Sequence, residues 1–306
     1  MSGPVTTEDV PPDAGCGTPH APDVELLPSR DATVGGMGVR RALPRRQRRT
    51  VGAWCFADHF GPAAPPATMA VGPHPHTGLH TVTWLVEGEV LHRDSLGSEQ
   101  LVRPGQLNLM TAGHGVAHAE ETLPGFTGAL HGVQLWVAQP EATRDGAAAF
   151  EHHAELPTLT LGPTVVTVLV GEVGGARSPA RADTPLVGAE LAASGGASVV
   201  PLAAGFEHAL LVMDGTVAVG GKAVGPGVLA YLGEGRDELA VEAPDRARAL
   251  LLGGEPLAEQ IVMGWNFVGR SRADIELAGA DWNAGDERFG TVASVLPRIP
   301  APAPRP

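Results

Sequence analysis

Two short segments of the chain carry pairs of metal-binding side chains. His74 and His76 stand two residues apart in one segment, and His118 and Glu120 stand two residues apart in the other. Side chains two residues apart on a β-strand point to the same face of the sheet, so each pair can aim at one point. Three imidazoles and one carboxylate suit a divalent first-row metal, and open coordination positions favour non-haem Fe(II). If the two strands are neighbours in a barrel, the sequence predicts one ion held by all four side chains.

The chain around these pairs has the pattern of short strands separated by tight turns. Strand-like runs at residues 81–86 and 107–110 are separated by turns that contain glycine, at residues 87–88, 96–97 and 104–105. This layout is typical of an antiparallel barrel or jelly roll, and it predicts an all-β fold. A His-X-His sequence alone is a weak signal, because histidines near Pro-Gly turns are often solvated at the surface. The second pair, in the glycine-rich stretch 111–120, favours a metal site over that alternative.

Several longer segments resemble the pirin family. They are the run 40–52, the run 56–62, HPHTGLHTVTWLVEGEVLHRDSLG from His74, TAGHGVAHAEE from Thr111, and the pieces 254–259 and 265–269. The resemblance covers most of the chain from about residue 30 to residue 290. It implies two tandem cupin domains (a bicupin) with one metal ion, usually iron, in the N-terminal lobe. The three histidines and one glutamate of the family fall on the residues that strand parity selects, His74, His76, His118 and Glu120.

Three further histidines lie close to these motifs. His80 stands where many pirins have a glutamate, and it shares the strand parity of the ligand pair before it. We expect it to be an interior residue, hydrogen-bonded to a neighbouring strand or orienting a ligand, and not a ligand itself. His114 belongs to a loop at the expected mouth of the barrel, where solvation and substrate contact are both open interpretations. His59 is expected to brace the turn that contains it.

The chain is expected to divide into two domains between two tails. Residues 1–30 are rich in Pro, Gly, Asp and Thr, which predicts a mobile tail. The N-terminal metal-binding cupin domain is expected at 31–150 and a C-terminal cupin domain without metal ligands at 151–292. The end of the chain, 293–306, is predicted to be a Pro-rich tail, extended and disordered over residues 300–306. Near the division, 141–153 has the spacing of a short helix or an irregular connector.

The second domain repeats the pattern of the first without its chemistry. The run 206–215 parallels 79–88 if one deletion is allowed. In this register the four ligand positions fall on Pro201, Ala203, Ala240 and Glu242. One carboxylate and no histidine hold a transition metal poorly. We therefore expect a structural or interface domain, unless His208 binds a metal through a different geometry.

Composition limits the classes of function. The chain has 306 residues, with 41 glycines, 28 prolines and 4% aromatic residues, which favours many turns and short strands over long helices. Its formal net charge of −13 argues against a general nucleic-acid binder, because neutralising phosphates requires surplus Lys and Arg. The arginine-rich run 40–49 is a local exception. We expect it to anchor a strand through carboxylate pairs, with a basic patch as the alternative.

The two cysteines and the lack of long apolar runs indicate the setting of the protein. Cys16 lies in the predicted tail, so a structural bridge to Cys55 is not expected. Cys55 is predicted to be a buried thiol and not a nucleophile, because apolar residues surround it and no positive field is near. No apolar run reaches membrane-spanning length, so no membrane partner is expected. A cytoplasmic location is the expectation.

The resemblance implies a function as well as a fold. Pirins have been linked with metal-dependent dioxygenases that open the ring of flavonols such as quercetin with O2. In that reading Fe²⁺ is the expected cofactor, with Ni, Cu, Co, Mn or Zn as alternatives, and the substrate is an aromatic, flavonol-like small molecule. Glu120 would act as a ligand and as the general base that takes the proton of the substrate hydroxyl.

A non-enzymatic regulator is the rival interpretation. The oxidation state of the metal would then change the surface and alter the binding of protein partners, as a transcriptional co-regulator or a modulator of metabolic enzymes. Another cupin reaction on an unrelated small molecule is a third interpretation, since a fold does not fix a substrate. An open apolar pocket beside the metal would favour the enzyme. A closed mouth beside a flat, charged face would favour the regulator.

Overall fold

The structure, a computed structural model, describes residues 23–303 of the chain. The first half forms β1 (Glu25–Pro28), β2 (Arg30–Val34), β3 (Met37–Leu43), β4 (Trp54–Ala63), β5 (Ala70–His76), β6 (Leu79–Glu87), β7 (Val90–Asp94), β8 (Glu99–Val102), β9 (Leu107–Thr111), β10 (Val116–Glu121), β11 (Leu130–Ala138) and β12 (Ala149–His153). The second half forms β13 (Thr158–Leu161), β14 (Thr164–Val170), β15 (Glu172–Val173), β16 (Ala176–Arg177), β17 (Leu186–Pro201), β18 (Glu207–Asp214), β19 (Val217–Val219), β20 (Lys222–Val224), β21 (Val228–Gly233), β22 (Glu238–Gly254), β23 (Val262–Gly264), β24 (Phe267–Gly269), helix α1 (Arg272–Ala284) and a 3-10 helix (Glu287–Phe289).

Two antiparallel sheets form the first lobe. One sheet has the strand order β12-β9-β6-β11-β4-β3-β2, and the other has the order β5-β10-β7-β8. Alternate side chains along each strand point inward, and apolar residues such as Trp84 and Leu135 are fully buried there. The prediction of an antiparallel all-β fold is confirmed.

A single sheet with the order β1-β21-β18-β22-β17-β14-β13 dominates the second lobe. Its long strands β17 and β22 pair over most of their lengths, and its core contains Leu210, Val212 and Leu251. At the positions expected to match the first-lobe ligands, Pro201 and Glu242 are exposed. Within residues 23–303, the groups of side chains able to hold a metal lie in the first lobe.

The N-terminal segment joins the second lobe. Residues 25–28, predicted to belong to a tail, form β1 and pair with β21, with Leu27 opposite Leu229. The tail prediction is wrong for these residues, because Leu27 is buried in the apolar core between the lobes. The rest of that tail, residues 1–22 with Cys16, lies outside the described residues.

The connector between the lobes contains a strand and no helix. Residues 141–146 form turns, and 149–153 form β12, which pairs with β9 in the first-lobe sheet. The helix alternative for 141–153 is therefore wrong. The sheet of the first lobe extends three residues past the expected boundary at residue 150, and the second-lobe sheet begins with β13.

The C-terminal segment returns to the first lobe. Helix α1 begins at a capping box in which the Ser271 side chain accepts from the Asp274 backbone N–H, and it ends at Gly285 in the left-handed conformation. After the helix, the Ile299 N–H donates to the Pro73 carbonyl at 2.9 Å, and the Trp282 indole donates to the Ile299 carbonyl at 2.8 Å. These bonds correct the prediction of a tail for residues 293–303. No helix in the described part of the chain is long and apolar enough to cross a membrane.

The two lobes share an apolar core and a few specific polar contacts. The Trp54 indole donates to the carbonyls of Val187 and Gly253, at 3.0 and 3.2 Å. The Gly52 N–H donates to the buried Glu207 carboxylate at 2.6 Å. Gly52 has a φ of +52° and lies so close to the facing strand that an added Cβ would come within 2.7 Å of its backbone. The interface therefore requires glycine at this position.

The arginine-rich run also anchors the chain. Arg41 forms a two-pronged pair with Asp58, at 2.7 and 2.6 Å, across β3 and β4. Arg48 lies 3.9 Å from Glu207 and stacks over the Tyr231 ring in the second lobe. For these two residues the expectation of carboxylate pairs is confirmed.

Candidate metal centre

Neighbouring strands bring the three candidate histidines together. In the β5–β10 pair, His118 lies opposite His74, and Val116 lies opposite His76. The three rings are buried, with 7%, 1% and 1% of the surface of His74, His76 and His118 exposed. One ring nitrogen from each histidine lies within 4.8 Å of the others. The spacing of the sequence thus becomes a compact three-nitrogen group inside the barrel.

Hydrogen bonds fix which nitrogen two of these histidines offer. The Nδ1 of His74 lies 2.9 Å from the Gly72 carbonyl, and the Nδ1 of His76 lies 2.9 Å from the Asn266 carbonyl. A carbonyl oxygen only accepts, so each Nδ1 carries the proton and each Nε2 keeps a free lone pair. The metal-binding atom of both residues is therefore Nε2.

Burial keeps the group uncharged. It lowers the pKa of His74 to about 4 and holds the pKa values of His76 and His118 well below the usual histidine value. The Nε2 atoms of His76 and His118 lie 3.1 Å apart, so either one of them carries a proton or both face a cation. Three neutral, converging imidazoles of this kind fit a divalent transition metal.

Glu120 lies beside this group and not within it. Its carboxylate clusters with the ring nitrogens of His118 and His92, while the Thr83 hydroxyl donates to it at 3.2 Å. A register shift between His118 and Glu120, where β10 pairs with β5, interrupts the regular ladder at this point. Burial raises the pKa of Glu120, although His92 and Thr83 act in the opposite direction. The four candidate side chains are therefore divided between two groups that share His118, and the second group also contains His92.

Sequence reasoning missed His92. This residue lies on β7 directly opposite Glu120, with its ring stacked on Phe150 at 4.5 Å. Its Nδ1 is 3.4 Å from the His118 Nδ1, and its Nε2 is 3.2 Å from an Asp94 oxygen. His92 and Asp94 have the same two-residue spacing as the other pairs, so the strand-parity argument applied to β7 would have found them.

His80 lies away from the metal-competent groups. Its Nδ1 is 2.9 Å from the Thr111 hydroxyl on the neighbouring strand β9, and its Nε2 is 3.2 Å from an Asp183 oxygen. Thr143 and Gln139 also donate to Asp183, at 2.6 and 3.2 Å. His80 is thus part of a polar network that fastens the connector between the lobes to the first-lobe barrel.

The other singled-out residues have separate surroundings. His114 is in a loop with 60% of its side chain exposed, 3.9 Å from Asp145, and it is not in the wall of the cavity described below. His59 lies within β4 and not in a turn, so the expectation that it braces a turn is wrong. It is fully buried, and its Nε2 is 2.9 Å from the His131 Nε2. Cys55 is fully buried, and burial raises the pKa of its thiol to about 12. The prediction of a buried, unreactive Cys55 is confirmed.

A cavity of about 1010 Å³ opens beside the three histidines and Glu120. Apolar side chains form most of one wall, namely Met37, Val39, Phe60, Met69 and Val71. Phe56 stacks on Trp136 with a centroid distance of 4.0 Å and an angle of 14°, and Trp136 contacts the His76 ring edge to face. A flat aromatic ligand finds matching surfaces in such a wall.

The cavity also has a polar side. The Arg41 guanidinium lies 4.6 Å from the centre of the Phe56 ring while it pairs with Asp58. Helix α1 and the segment 299–303 also line the cavity.

Comparison with known proteins identifies relatives over both lobes. The family model described as "Pirin" matches residues 36–137, and the model described as "Pirin C-terminal cupin domain" matches residues 188–290. A Pseudomonas aeruginosa protein named "Putative quercetin 2,3-dioxygenase" is 47% identical over 292 residues, which cover 94% of this chain and 92% of that protein. The human protein named "Pirin" is 30% identical over 272 residues, which cover 85% of this chain and 92% of that protein.

A solved structure has the same arrangement of lobes. The crystal structure of a protein named quercetin 2,3-dioxygenase from Acinetobacter baumannii matches with a TM-score of 0.89 and 42% sequence identity. The match covers 92% of this chain and 96% of that one. The two lobes are thus both cupin domains.

Proposed function

The chain belongs to the pirin family, and on that basis we propose that it is a metal-dependent dioxygenase that opens the ring of a flavonol such as quercetin with O2. The observation that carries the proposal is the position of the cavity. A buried three-histidine group and a carboxylate form one end of a large, mostly apolar space with an aromatic wall. Two relatives are named for this activity, and both cover more than nine-tenths of this chain.

The Nε2 atoms of His74, His76 and His118 would hold one divalent ion, with Glu120 as the neighbouring carboxylate ligand. Fe²⁺ is the ion we favour, and Ni, Cu, Co, Mn and Zn are alternatives because a site of nitrogen and oxygen ligands binds each of these divalent metals. When bound, the ion supplies Lewis-acid activation of the substrate hydroxyl and one-electron chemistry with O2. The histidines themselves remain neutral donors, since burial lowers their pKa values.

Glu120 would accept the proton of the flavonol 3-hydroxyl. Burial raises its pKa, which makes the carboxylate a better base than a solvated glutamate. The Thr83 hydroxyl donates to Oε1 at 3.2 Å, so Oε2 would be the ligand atom and, once released from the ion, would take the proton. The proton then stays on Glu120 inside the barrel while the deprotonated substrate reacts.

The aromatic wall would orient the flat ring system of the substrate. Phe56 and Trp136 offer a stacked surface next to His76, and Arg41 adds a positive charge at its end. Helix α1 and the segment 299–303 would keep water from the reacting ring. These contacts would select planar aromatic substrates as a class and would not distinguish one flavonol from another.

The same cavity bears on the rival interpretation. The sequence left open a regulator that binds protein partners, and an open apolar pocket beside the metal was the feature expected to favour an enzyme. The volume and apolar wall of the cavity support the enzyme.

Oxygen uptake tests the proposal directly. Protein purified without oxygen and loaded with each candidate metal should consume O2 only when a flavonol from a test panel is added. His76→Ala should abolish both metal content and uptake, because the loss of one of three converging imidazoles greatly weakens metal binding. His114→Ala, in an exposed loop outside the cavity wall, is the matched control and should keep both. Iron-loaded wild-type protein that consumes no O2 with any flavonol would overturn the enzyme and favour the regulator.

A further inference from the structure

The second nitrogen of His118 has an unusual partner. In His74 and His76, a backbone carbonyl accepts from Nδ1 and thereby directs Nε2 inward. The Nδ1 of His118 has no such carbonyl, and it lies 3.4 Å from the Nδ1 of His92. The orientation of His118 therefore depends on a side chain, and that side chain has two ring nitrogens whose proton position must be fixed in turn.

Asp94 fixes the proton of His92. The His92 Nε2 lies 3.2 Å from the Asp94 Oδ2, and the backbone N–H groups of Leu96 and Ser98 both donate to the Asp94 Oδ1 at 2.9 Å. Burial alone would raise the pKa of Asp94, but hydrogen bonds from His92 and Ser98 outweigh it and the pKa is lowered. An ionised carboxylate only accepts, so the His92 proton is on Nε2 and its Nδ1 presents a lone pair to His118.

We infer that His92 and Asp94 are positioning residues that orient His118 for metal binding. The His118 Nδ1–H donates to the His92 Nδ1, and the His92 Nε2–H donates to the Asp94 carboxylate. This places the lone pair of His118 on Nε2, 3.1 Å from the Nε2 lone pair of His76, and two such facing lone pairs require a bound cation. These two hydrogen bonds orient His118, as the Gly72 and Asn266 carbonyls orient His74 and His76.

The surrounding residues hold these hydrogen-bonded side chains in place. His92 is 2% exposed and Asp94 is 3% exposed, so water does not compete for the bonds. Phe150 lies almost parallel to the His92 ring, at an angle of 15°, and limits its rotation. In the β7–β10 pair, Asp94 lies opposite His118 and His92 lies opposite Glu120. The register of two strands thus sets the relative positions of the whole chain of bonds.

A competing arrangement uses the same atoms differently. His92, His118 and Glu120 also form a group that could hold a metal, in which His118 would offer Nδ1. The two arrangements exclude each other at a single-metal site, because Nδ1 either carries a proton or binds the ion. The hydrogen-bonded arrangement is favoured because the fixed Nε2 lone pairs of His74 and His76 lie on the other side of the His118 ring.

Asp94→Asn tests the inference most sharply. The asparagine oxygen can still accept from Leu96 and Ser98, while the new amide group donates to the His92 Nε2. His92 then carries its proton on Nδ1, opposite the protonated Nδ1 of His118, and this conflict drives the His118 proton onto Nε2. His92→Asn is the second variant, since its amide reaches the Nδ1 position but not Asp94, so nothing fixes its oxygen, rather than its NH2 group, toward the His118 Nδ1–H.

The measurement is the affinity for Co(II), by competition with a chelator, together with the number of imidazoles around bound Co(II) by X-ray absorption. Loss of such outer hydrogen bonds typically weakens metal binding about 10- to 100-fold. Both variants should show a loss in this range and an unchanged imidazole number. Asp183→Asn is the matched control, because it makes the same change beside another buried histidine, His80, and should leave Co(II) affinity unchanged.

This inference rests on the metal site of the proposed function, and the two fail differently. Wild-type protein that binds no Co(II) would overturn both. Wild-type affinity in Asp94→Asn and His92→Asn would overturn the positioning role alone. So would the loss of one imidazole from the metal in His92→Asn, since His92 would then be a ligand. Absence of O2 uptake with intact metal binding would count only against the dioxygenase.

Discussion

The buried histidines of the first lobe differ in what their ring nitrogens contact. His74 and His76 donate from Nδ1 to backbone carbonyls and keep Nε2 free, whereas His80 has polar side-chain partners on both sides. His59 faces His131, and burial lowers its pKa to about 3. A free lone pair that converges with others distinguishes a candidate ligand from a structural histidine, and neither burial nor spacing does so alone.

Glu120→Gln should separate metal binding from turnover. The amide keeps an oxygen that Thr83 can reach and nearly the same shape, but it cannot accept the proton of the substrate hydroxyl. Loss of a general base typically lowers the rate by about 10²- to 10⁴-fold. We expect metal content near that of the wild type, bound flavonol by titration, and a kcat for O2 uptake reduced within that range. Undiminished kcat would remove Glu120 from the proton-transfer step.

At the scale of elements, the connector between the lobes depends on one carboxylate. Asp183 accepts from Thr143 in the connector and from the neighbouring Arg181, and its Oδ2 lies 3.2 Å from the His80 Nε2 on β6. Burial alone would raise the pKa of Asp183, but these hydrogen bonds outweigh it and hold the pKa far below its usual value. The carboxylate is therefore ionised in the folded protein and ties the connector to the barrel.

Asp183→Asn should destabilise the protein without emptying the metal site. Hydrogen bonds to charged groups contribute about 1.5–3 kcal/mol each, and loss of the charge weakens several together. We expect the free energy of unfolding in urea to fall by about 2–3 kcal/mol. The pair with Arg181, whose side chain is 32% exposed, contributes little to this value because water screens it. His80→Gln and the double variant complete a cycle, and additive effects would show that the two residues are not coupled.

The sequence predicted which side chains of each strand face the site better than it predicted how the strands pair. The period of two along a strand is local, so it identified the inward pairs on β5 and β10, and it would also have found His92 and Asp94 on β7. The register shift that separates Glu120 from His74 depends on how two strands pair, which a single sequence does not specify. β1 and the segment 293–303 resemble tails in the sequence, because their short or Pro-rich stretches acquire order only through contacts with residues far away in the chain.

At the scale of the whole molecule, the second half of the chain completes the first-lobe site. The Asn266 carbonyl that orients His76 lies in the turn between β23 and β24, and Phe267 forms a bridge to Thr77. Helix α1 and the following segment line the cavity, while β1 joins the second-lobe sheet. Residues from both halves of the chain are therefore needed to build the candidate site.

A buried histidine of the second lobe makes stability depend on pH. Burial lowers the pKa of His208 to about 4, the Phe206 carbonyl opposes this shift, and the charge of Arg236 reinforces it. An unfolded histidine takes up its proton near pH 6.5, as model peptides do. Between these two pH values the unfolded chain binds more protons than the folded protein. Stability is therefore fully present above about pH 6.5 and is lost as the pH falls toward 4.

His208→Leu should remove this dependence and leave the metal in place. Each pKa unit corresponds to about 1.4 kcal/mol, so His208 accounts for a loss of about 3 kcal/mol between pH 6.5 and 4. Urea unfolding at intervals across this range gives the free energy of unfolding as a function of pH. The slope of this curve should correspond to about one proton fewer in the variant than in the wild type. The remaining slope is due to other buried histidines such as His59. Metal analysis of the same variant should still give one ion per chain, because the metal-competent groups of the described residues lie in the first lobe. If the free energies of unfolding of the variant and the wild type depend on pH in the same way, His208 is not the titrating group. If the wild type contains about two metal ions per chain and His208→Leu contains one, a second metal lies in the C-terminal lobe.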